Sequence, residues 1–457
     1  MQENAPAMNS NFPELLPHQK EAVDFFVKRS SIPLLLDTGL GKTATSLEIL
    51  KTKNCKRVLC VIPKSITDQW VAEIAKFTDY TSVVAIGNRT KRIENIRADV
   101  NIVLINFEGV RICFDEIKAL AKVGYFDCLL IDELSRVRRY SKQTRCLQEI
   151  ARFFPVRIGL SGLLIAENMI DAFNPYKILD LGRTFGTDFF AFLEKYFTET
   201  VDDTGTYRKY TATEYGQKMI PALVKRTAFI RTAEQVSVLP PSVFSTRKVS
   251  LSIEQDAFLK TLEKEWKAKF PGSLTEEFYN YTIQLMQKAM QCCSGFVYKE
   301  DDSTFWFDYN PKLQELNAIL EELGKSHFIV WCNYKAEKLL ITQFLEKQGK
   351  TVCPSETPQD FNTGKYDAYI GTFSRDAQGH SFKIAKTAIF FSRPTSYEKF
   401  YQSLGRNRRV DSESALINYI IISSKHKTEF LNDLALKKKK DLADLLRETK
   451  MKDIWKN

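Results

Sequence analysis

The chain has 457 residues, 44% hydrophobic and 27% charged, proportions that suit a globular protein with two or three domains. No apolar run approaches the ~20 residues of a membrane-crossing helix, and MQENAPAMNSNFPELL carries no basic region before an apolar one, so neither a span nor a secretory signal is expected. The net charge of +10 suits a polyanionic partner without requiring one, while nine scattered cysteines without a CxxC, beside four histidines, exclude zinc-site spacing and fit reduced thiols.

The first informative stretch is LLLDTGLGKTATSLEIL, 34–50. An apolar strand stops at Asp37, a glycine-bearing turn follows, and a helical pattern begins at Lys42 and Thr43. Such a turn points backbone N–H groups at an anion, at the positive end of a helix dipole. Lys42 could neutralise the β and γ phosphates of a nucleotide and the Thr43 hydroxyl could ligate Mg²⁺. The first glycine of the usual GxxxxGK[ST] pattern is replaced by Leu36, which leaves a chance GKT in a strand–helix turn as the competing reading.

Further on, VLCVIP (58–63), NIVLIN (101–106), CLLID (128–132) and VRIGLS (156–161) predict buried parallel strands, with helical text such as SITDQWVAEIAKF (65–77) between them. Asp132 and Glu133 end one of these strands, placed to hold Mg²⁺ and to deprotonate an attacking water, although adjacent acids at a strand end are more often simply solvated. The pattern changes near residue 183. DFFAFLEKYF (188–197) predicts a helix and TETVDDTGTYRKYTAT (198–213) a hairpin turning at DDTG. VLPPSV (238–243) is extended punctuation, and 252–295 is helical. After a helix at 310–323, alternation resumes with strands at 327–333, 368–373, 387–392 and 415–422. Arg406 and Arg409 in YQSLGRNRRV lie three apart and would share one face of a helix, poised for γ-phosphate charge or simply forming a basic surface. A basic amphipathic helix over 427–455 ends the pattern. The class is α/β, with two βα halves, each carrying an insertion.

The order of motifs resembles a Swi/Snf-type superfamily 2 helicase or translocase. LLPHQKEAV (15–23) resembles the adenine-recognition motif, DTGLGKT (37–43) motif I, VIPKSITDQW (61–70) motif Ia, LINFEGVR (104–111) motif Ib and IDELSRVRR (131–139) motif II. LSGLLIAENMIDAFNPYKILD (160–180) resembles motif III and the helix after it. VKRTAFIRTAEQVSVLPP (224–241) and LMQKAMQCCSG (285–295) are similar to stretches typical of this family. FIVWCN (328–333) resembles motif IV, GTFSRDAQGHSF (371–382) motif V and QSLGRNRR (402–409) motif VI. Leu163 and Leu164 stand where Thr-Pro is usual, Leu134 and Ser135 replace Ala-His, and Arg408 stands where histidine is common.

The resemblance implies two RecA-like lobes. Lobe 1 would span 1–240, with an insertion over about 183–235 that includes the β-hairpin. Lobe 2 would span 241–457, with a helical insertion over about 252–297 and the C-terminal basic helix 427–455. It implies ATP and Mg²⁺ between the lobes, with Gln19 reading the base and Gly39, Leu40, Gly41, Lys42, Thr43 and Ala44 holding the nucleotide. Thr43 and Asp132 would ligate Mg²⁺, and Lys42, Asp132, Glu133, Arg406 and Arg409 would be catalytic. Lys64, Ser65, Arg138, Arg139 and Thr372 are expected on the DNA backbone. The hairpin's Tyr207 and Arg208 would meet unpaired bases and phosphate at a branch, unless the hairpin merely packs on its own lobe. The expected protein is a minimal, monomeric motor on double-stranded and branched DNA, in the cytoplasm, nucleoid or nucleus. An RNA-directed or RNA-polymerase-associated motor is the alternative, as is a degenerate nucleic-acid-binding protein without turnover.

Overall fold

Continuous apolar runs can be satisfied only where a strand is buried on both faces, and parallel sheets covered by helices provide that setting. The computed structural model describes residues 12–165, 167–201, 208–236, 239–269, 276–301, 303–377, 379–409 and 412–448. The first half holds β1 (Ser31–Leu36), β2 (Val58–Ile62), β3 (Ser82–Val84), β4 (Ile102–Asn106), β5 (Cys128–Asp132) and β6 (Val156–Ser161). A hairpin, β7 (Phe197–Val201) and β8 (Arg208–Ala212), stands apart, and β9 (Phe229–Arg231) returns to the sheet beside β1. The seven strands run parallel in the order β3-β4-β2-β5-β6-β1-β9. Successive β2 residues feed opposite cores, Leu59 and Val61 on one face and Val58, Cys60 and Ile62 on the other.

The second half begins with β10 (Ser242–Val249), followed by a small antiparallel pair, β11 (Phe296–Tyr298) and β12 (Thr304–Trp306). Then come β13 (Phe328–Cys332), β14 (Ala368–Thr372), β15 (Thr387–Phe390) and β16 (Ile417–Ser424). Its main sheet is again parallel, in the order β10-β16-β15-β13-β14. Along β13, Phe328, Val330 and Cys332 enter one core while Ile329 and Trp331 enter the other. The result is the pair of RecA-like lobes that the resemblance implied, and the chain leaves the first sheet after Arg231 and enters the second at Ser242.

Three strands of the main sheets, β3, β9 and β10, had no clear signal. β3 and β9 are three residues each, and β10 is an edge strand whose Phe244, Ser245, Thr246 and Lys248 face solvent, which removes the apolar run. The predicted helical stretch 252–295 consists of two helices, Ile253–Lys269 and Glu276–Cys293. Val238, the hairpin turn 202–207 with Tyr207, and the tail beyond Glu448 lie outside the described residues.

The last helix, Lys427–Glu448, bridges the lobes. Leu436 and Ala443 bury against Leu163 of lobe 1 and Tyr397 of lobe 2, and Lys439 pairs with Glu167 of lobe 1 while donating to the Thr395 carbonyl of lobe 2 at 2.8 Å. Its first turn is anchored by the fully buried Lys312 ammonium, 2.6 Å from Glu429 Oε1 and 3.0 Å from the Phe391 carbonyl. Removing one partner strands a charge without water. Glu429→Ala should therefore lower unfolding stability by about 3–5 kcal/mol, read by urea denaturation, and an unchanged midpoint would mean the pair contributes little.

Candidate active site

Open α/β sheets leave a crevice at the carboxyl ends of their strands, and the site is built there from both lobes. β1 ends at the buried Leu36, and the chain turns through 37–41 into the helix Lys42–Thr52. Gly39 and Gly41 carry φ values of +89° and +76°, and a Cβ on Gly41 would stand 2.1 Å from the Gln19 side-chain nitrogen. Glycine is thus required at both turning points, while the position of the missing first glycine is simply the end of a core strand. His18 Nε2 and Gln19 Nε2 donate to the Leu40 carbonyl at 2.9 and 3.2 Å, Gln19 Oε1 accepts from the Leu16 N–H at 2.8 Å, and Asp37 Oδ2 accepts from the Ala233 N–H at 2.9 Å. The turn is therefore held from outside. Lys42 Nζ donates to the Leu36 carbonyl at 3.0 Å, and burial draws its ammonium below the ordinary value while Glu133, Asp132 and Asp37 oppose that shift.

β5 delivers the two acids. Asp132 Oδ2 accepts a hydrogen bond from the Trp70 indole Nε1 at 2.8 Å, and burial raises its carboxyl. Glu133 sits at φ +69°, a left-handed conformation rare for such a side chain, which turns the chain out of the strand. Its Oε1 accepts from Ser135 Oγ at 2.9 Å and its Oε2 from Gln402 Nε2 of lobe 2 at 3.2 Å. Burial, then the charges of Glu398 and Asp132, push this carboxyl up to about 7. A bound cation would draw it down again.

Lobe 2 contributes the helix Tyr397–Leu404 and the turn after it. Glu398 pairs with Arg138 across the interface at 2.6 Å. A Cβ on Gly405 would fall 2.3 Å from Thr38 Cγ2, so the second lobe packs directly on the phosphate turn. The expectation that Arg406 and Arg409 share a helix face is corrected: the helix ends at Leu404, with Gly405 as its cap. The arginines reach the cleft from the following turn instead. Arg406 is buried, with Nε on the Gln402 carbonyl (3.0 Å) and Nη1 on the His380 carbonyl (3.2 Å). Burial and Arg409 push its guanidinium down to about 9.

All the expected nucleotide, metal and catalytic residues border one interlobe cleft of about 420 Å³. Thr43 and Asp132 offer hard oxygen donors there, and the described residues contain no group of three His, Cys, Asp or Glu that could cage a metal. That donor set fits Mg²⁺, which keeps waters and substrate phosphates around one or two protein ligands. Gln69, Glu73 and Phe77, on the helix after β2, line the same cleft and were missed, as were Trp70 and Glu398, whose partners Asp132 and Arg138 lie far along the chain.

The expected nucleic-acid residues are dispersed. Lys64 and Ser65 are exposed on the turn after β2, and a Cβ on Gly379 of lobe 2 would stand 3.1 Å from the Ser65 carbonyl. Arg139 is exposed, whereas Arg138 is held in its interlobe pair. Thr372 ends β14, largely buried, with its N–H and hydroxyl both directed to Asp376. Arg208 is exposed on the hairpin, 3.0 Å from Glu199, to which the Tyr210 hydroxyl also donates at 2.9 Å.

Residues 18–295 match the family model described as the SNF2-related domain. The chain is 22% identical over 401 residues to putative protein p41 of Acyrthosiphon pisum secondary endosymbiont phage 1, covering 83% of this chain and 85% of that protein. It is 24% identical over 340 residues to the ISWI chromatin-remodeling complex ATPase ISW1 of Saccharomyces cerevisiae, covering 68% of this chain and 28% of that one. With the RNA polymerase-associated protein RapA of Pasteurella multocida, identity is 20% over 455 residues, 87% of this chain and 46% of that one. The chain thus spans less than half the length of the latter two. The Sulfolobus solfataricus SWI2/SNF2 ATPase core in complex with dsDNA aligns over 99% of this chain and 97% of that one, at 15% identity and a TM-score of 0.45.

Proposed function

The chain belongs to the SNF2-related domain family, and on that premise we propose that it is a DNA-dependent ATPase that translocates on duplex DNA and remodels or unwinds forked DNA in replication, recombination or repair. The observation that carries the ATPase reading is the convergence of Lys42, Asp132 and Glu133 of one lobe with Gln402, Arg406 and Arg409 of the other on a single cleft. In this reading Gln19 meets the base, and the N–H groups of 39–44 with Lys42 hold the phosphates. Thr43 and Asp132 hold Mg²⁺, which neutralises phosphate charge when bound. Glu133 orients and deprotonates water, and the two arginines meet the charge that develops on the transferred phosphoryl group. The acids and the arginines lie on different lobes, so hydrolysis depends on closure, which is how a motor couples turnover to movement. Lys64, Ser65, Arg139 and Thr372 are proposed along the DNA backbone, and the protein acts as a monomer wherever DNA is handled, in cytoplasm, nucleoid or nucleus.

ATP turnover of wild type and Glu133→Gln, measured without nucleic acid and with linear duplex, single strand, forked DNA and RNA, tests this reading. Strong stimulation by DNA that the substitution removes is expected. No turnover with any of them would instead favour a binding protein without catalysis. The similarity to the RNA polymerase-associated protein RapA supports a second reading as a polymerase-associated motor. Preferential stimulation by RNA, or co-purification with RNA polymerase, would select it.

The fork reading rests on the hairpin. Apart from the buried Phe197 and the half-buried Tyr210 and Ala212, the described residues of β7 and β8 are exposed, including Arg208 and Lys209, as suits a pin that stacks on bases and grips phosphate. Replacing 198–211 with a short Gly-Ser link should abolish the extra turnover and unwinding on forks while sparing turnover on linear duplex. Wild-type fork unwinding by that variant would end the pin reading.

A further inference from the structure

Trp70 has no role in the reading above, yet it touches the carboxylate proposed to hold the metal. It lies on the helix Thr67–Phe77, is 1% exposed, and donates its indole N–H to Asp132 Oδ2 at 2.8 Å across 62 residues of chain. A buried phenylalanine would fill similar apolar space. An indole brings in addition a donor that must find an acceptor, and the acceptor here is one oxygen of Asp132. A ring buried in the same apolar core as Ile74, Leu104 and Leu130 is not free to follow a wandering carboxylate. Its N–H therefore fixes which way the carboxylate faces, with one oxygen held by the indole.

The helix that carries Trp70 begins immediately after the turn Lys64–Ile66, whose Lys64 and Ser65 are exposed at the lobe interface. One short rigid element therefore connects that turn to the carboxylate. We propose that Trp70 is a positioning residue, fixing Asp132 for Mg²⁺ through its indole N–H. The inference rests on the site reading above, and outer contacts of this kind commonly govern metal affinity by 10- to 100-fold.

Binding of a fluorescent ATP analogue, titrated with Mg²⁺ and repeated in EDTA, tests it on wild type and Trp70→Phe. The variant should need about 10-fold or more Mg²⁺ to reach the tight-binding form, with affinity in EDTA unchanged. Unaltered Mg²⁺ dependence overturns the proposal, and so does an equal loss of affinity with and without Mg²⁺, which would mark Trp70 as packing alone. Wild type that binds nucleotide with no Mg²⁺ dependence would overturn the site reading itself, and the inference with it. The chain has five tryptophans, so indole ¹⁵N–¹H spectra provide a second measure. The Trp70 signal, identified as the one lost in Trp70→Phe or, if that variant does not fold, as the one displaced by Asp132→Asn, should move on Mg²⁺–ADP and stay in place on ADP with EDTA. A signal that ignores Mg²⁺, or no signal displaced by Asp132→Asn, overturns the proposal.

Discussion

Glu133→Gln should bind ATP as wild type does and lower DNA-stimulated turnover by about 10²–10⁴-fold, the contribution of a positioned general base. Glutamine keeps the volume of the side chain and, with one rotation of its amide, the contacts with Ser135 Oγ and Gln402 Nε2. What it removes is the ability to accept the water's proton. The phosphate turn is braced separately by His18 and Gln19, so nucleotide affinity has no reason to fall. Phosphate release on forked DNA and equilibrium binding of an ATP analogue measure the two halves of this expectation. Undiminished release would remove Glu133 from the chemistry. Lost binding would show instead that the end of β5 had collapsed.

Arg409→Ala should reduce kcat by about 10³-fold or more, the effect of an arginine that meets transition-state charge across an interface. This position is a cleaner probe than Arg406. The Arg406 guanidinium is buried and holds the Gln402 and His380 carbonyls, so its removal leaves polar groups unpaired within lobe 2 as well as emptying the cleft. Arg409 is only partly buried, and its backbone N–H donates to Ser412 Oγ at 2.8 Å, a contact that does not involve the side chain. Thermal melting close to wild type, with kcat lost and ATP affinity retained, is the expected pattern. An unchanged kcat would exclude Arg409 from the phosphoryl-transfer step.

Much of this site was legible because its pieces are local. A strand, a turn needing left-handed backbone and a helix start are contiguous in 34–50, and β5 and β6 appear at 128–132 and 156–161 as their apolar runs predicted. The helical placement of Arg406 and Arg409 failed for an equally local reason. Spacing of three is compatible with a helix but does not require one, and here the helix ends at Leu404, with Gly405 lying close against Thr38 of the other lobe. Of the leucines at the motif III departure, Leu163 packs with Leu436 and Ala443 of the last helix between the lobes, while Leu164 joins the core of lobe 1, a distinction that only three dimensions supply.

By itself the amino-acid sequence determined the alternating βα pattern, the glycine turn and the chemical identity of the groups at the strand ends, since these follow from periodicity and from backbone sterics between neighbours. Only the tertiary structure decided which groups meet. Trp70 reaches Asp132 across 62 residues, Arg138 reaches Glu398 across 260, and Gln402 reaches Glu133 across 269. No spacing rule covers such pairs: the first is set by how a helix of lobe 1 packs on its own sheet, and the other two by how the facing surfaces of the two lobes meet.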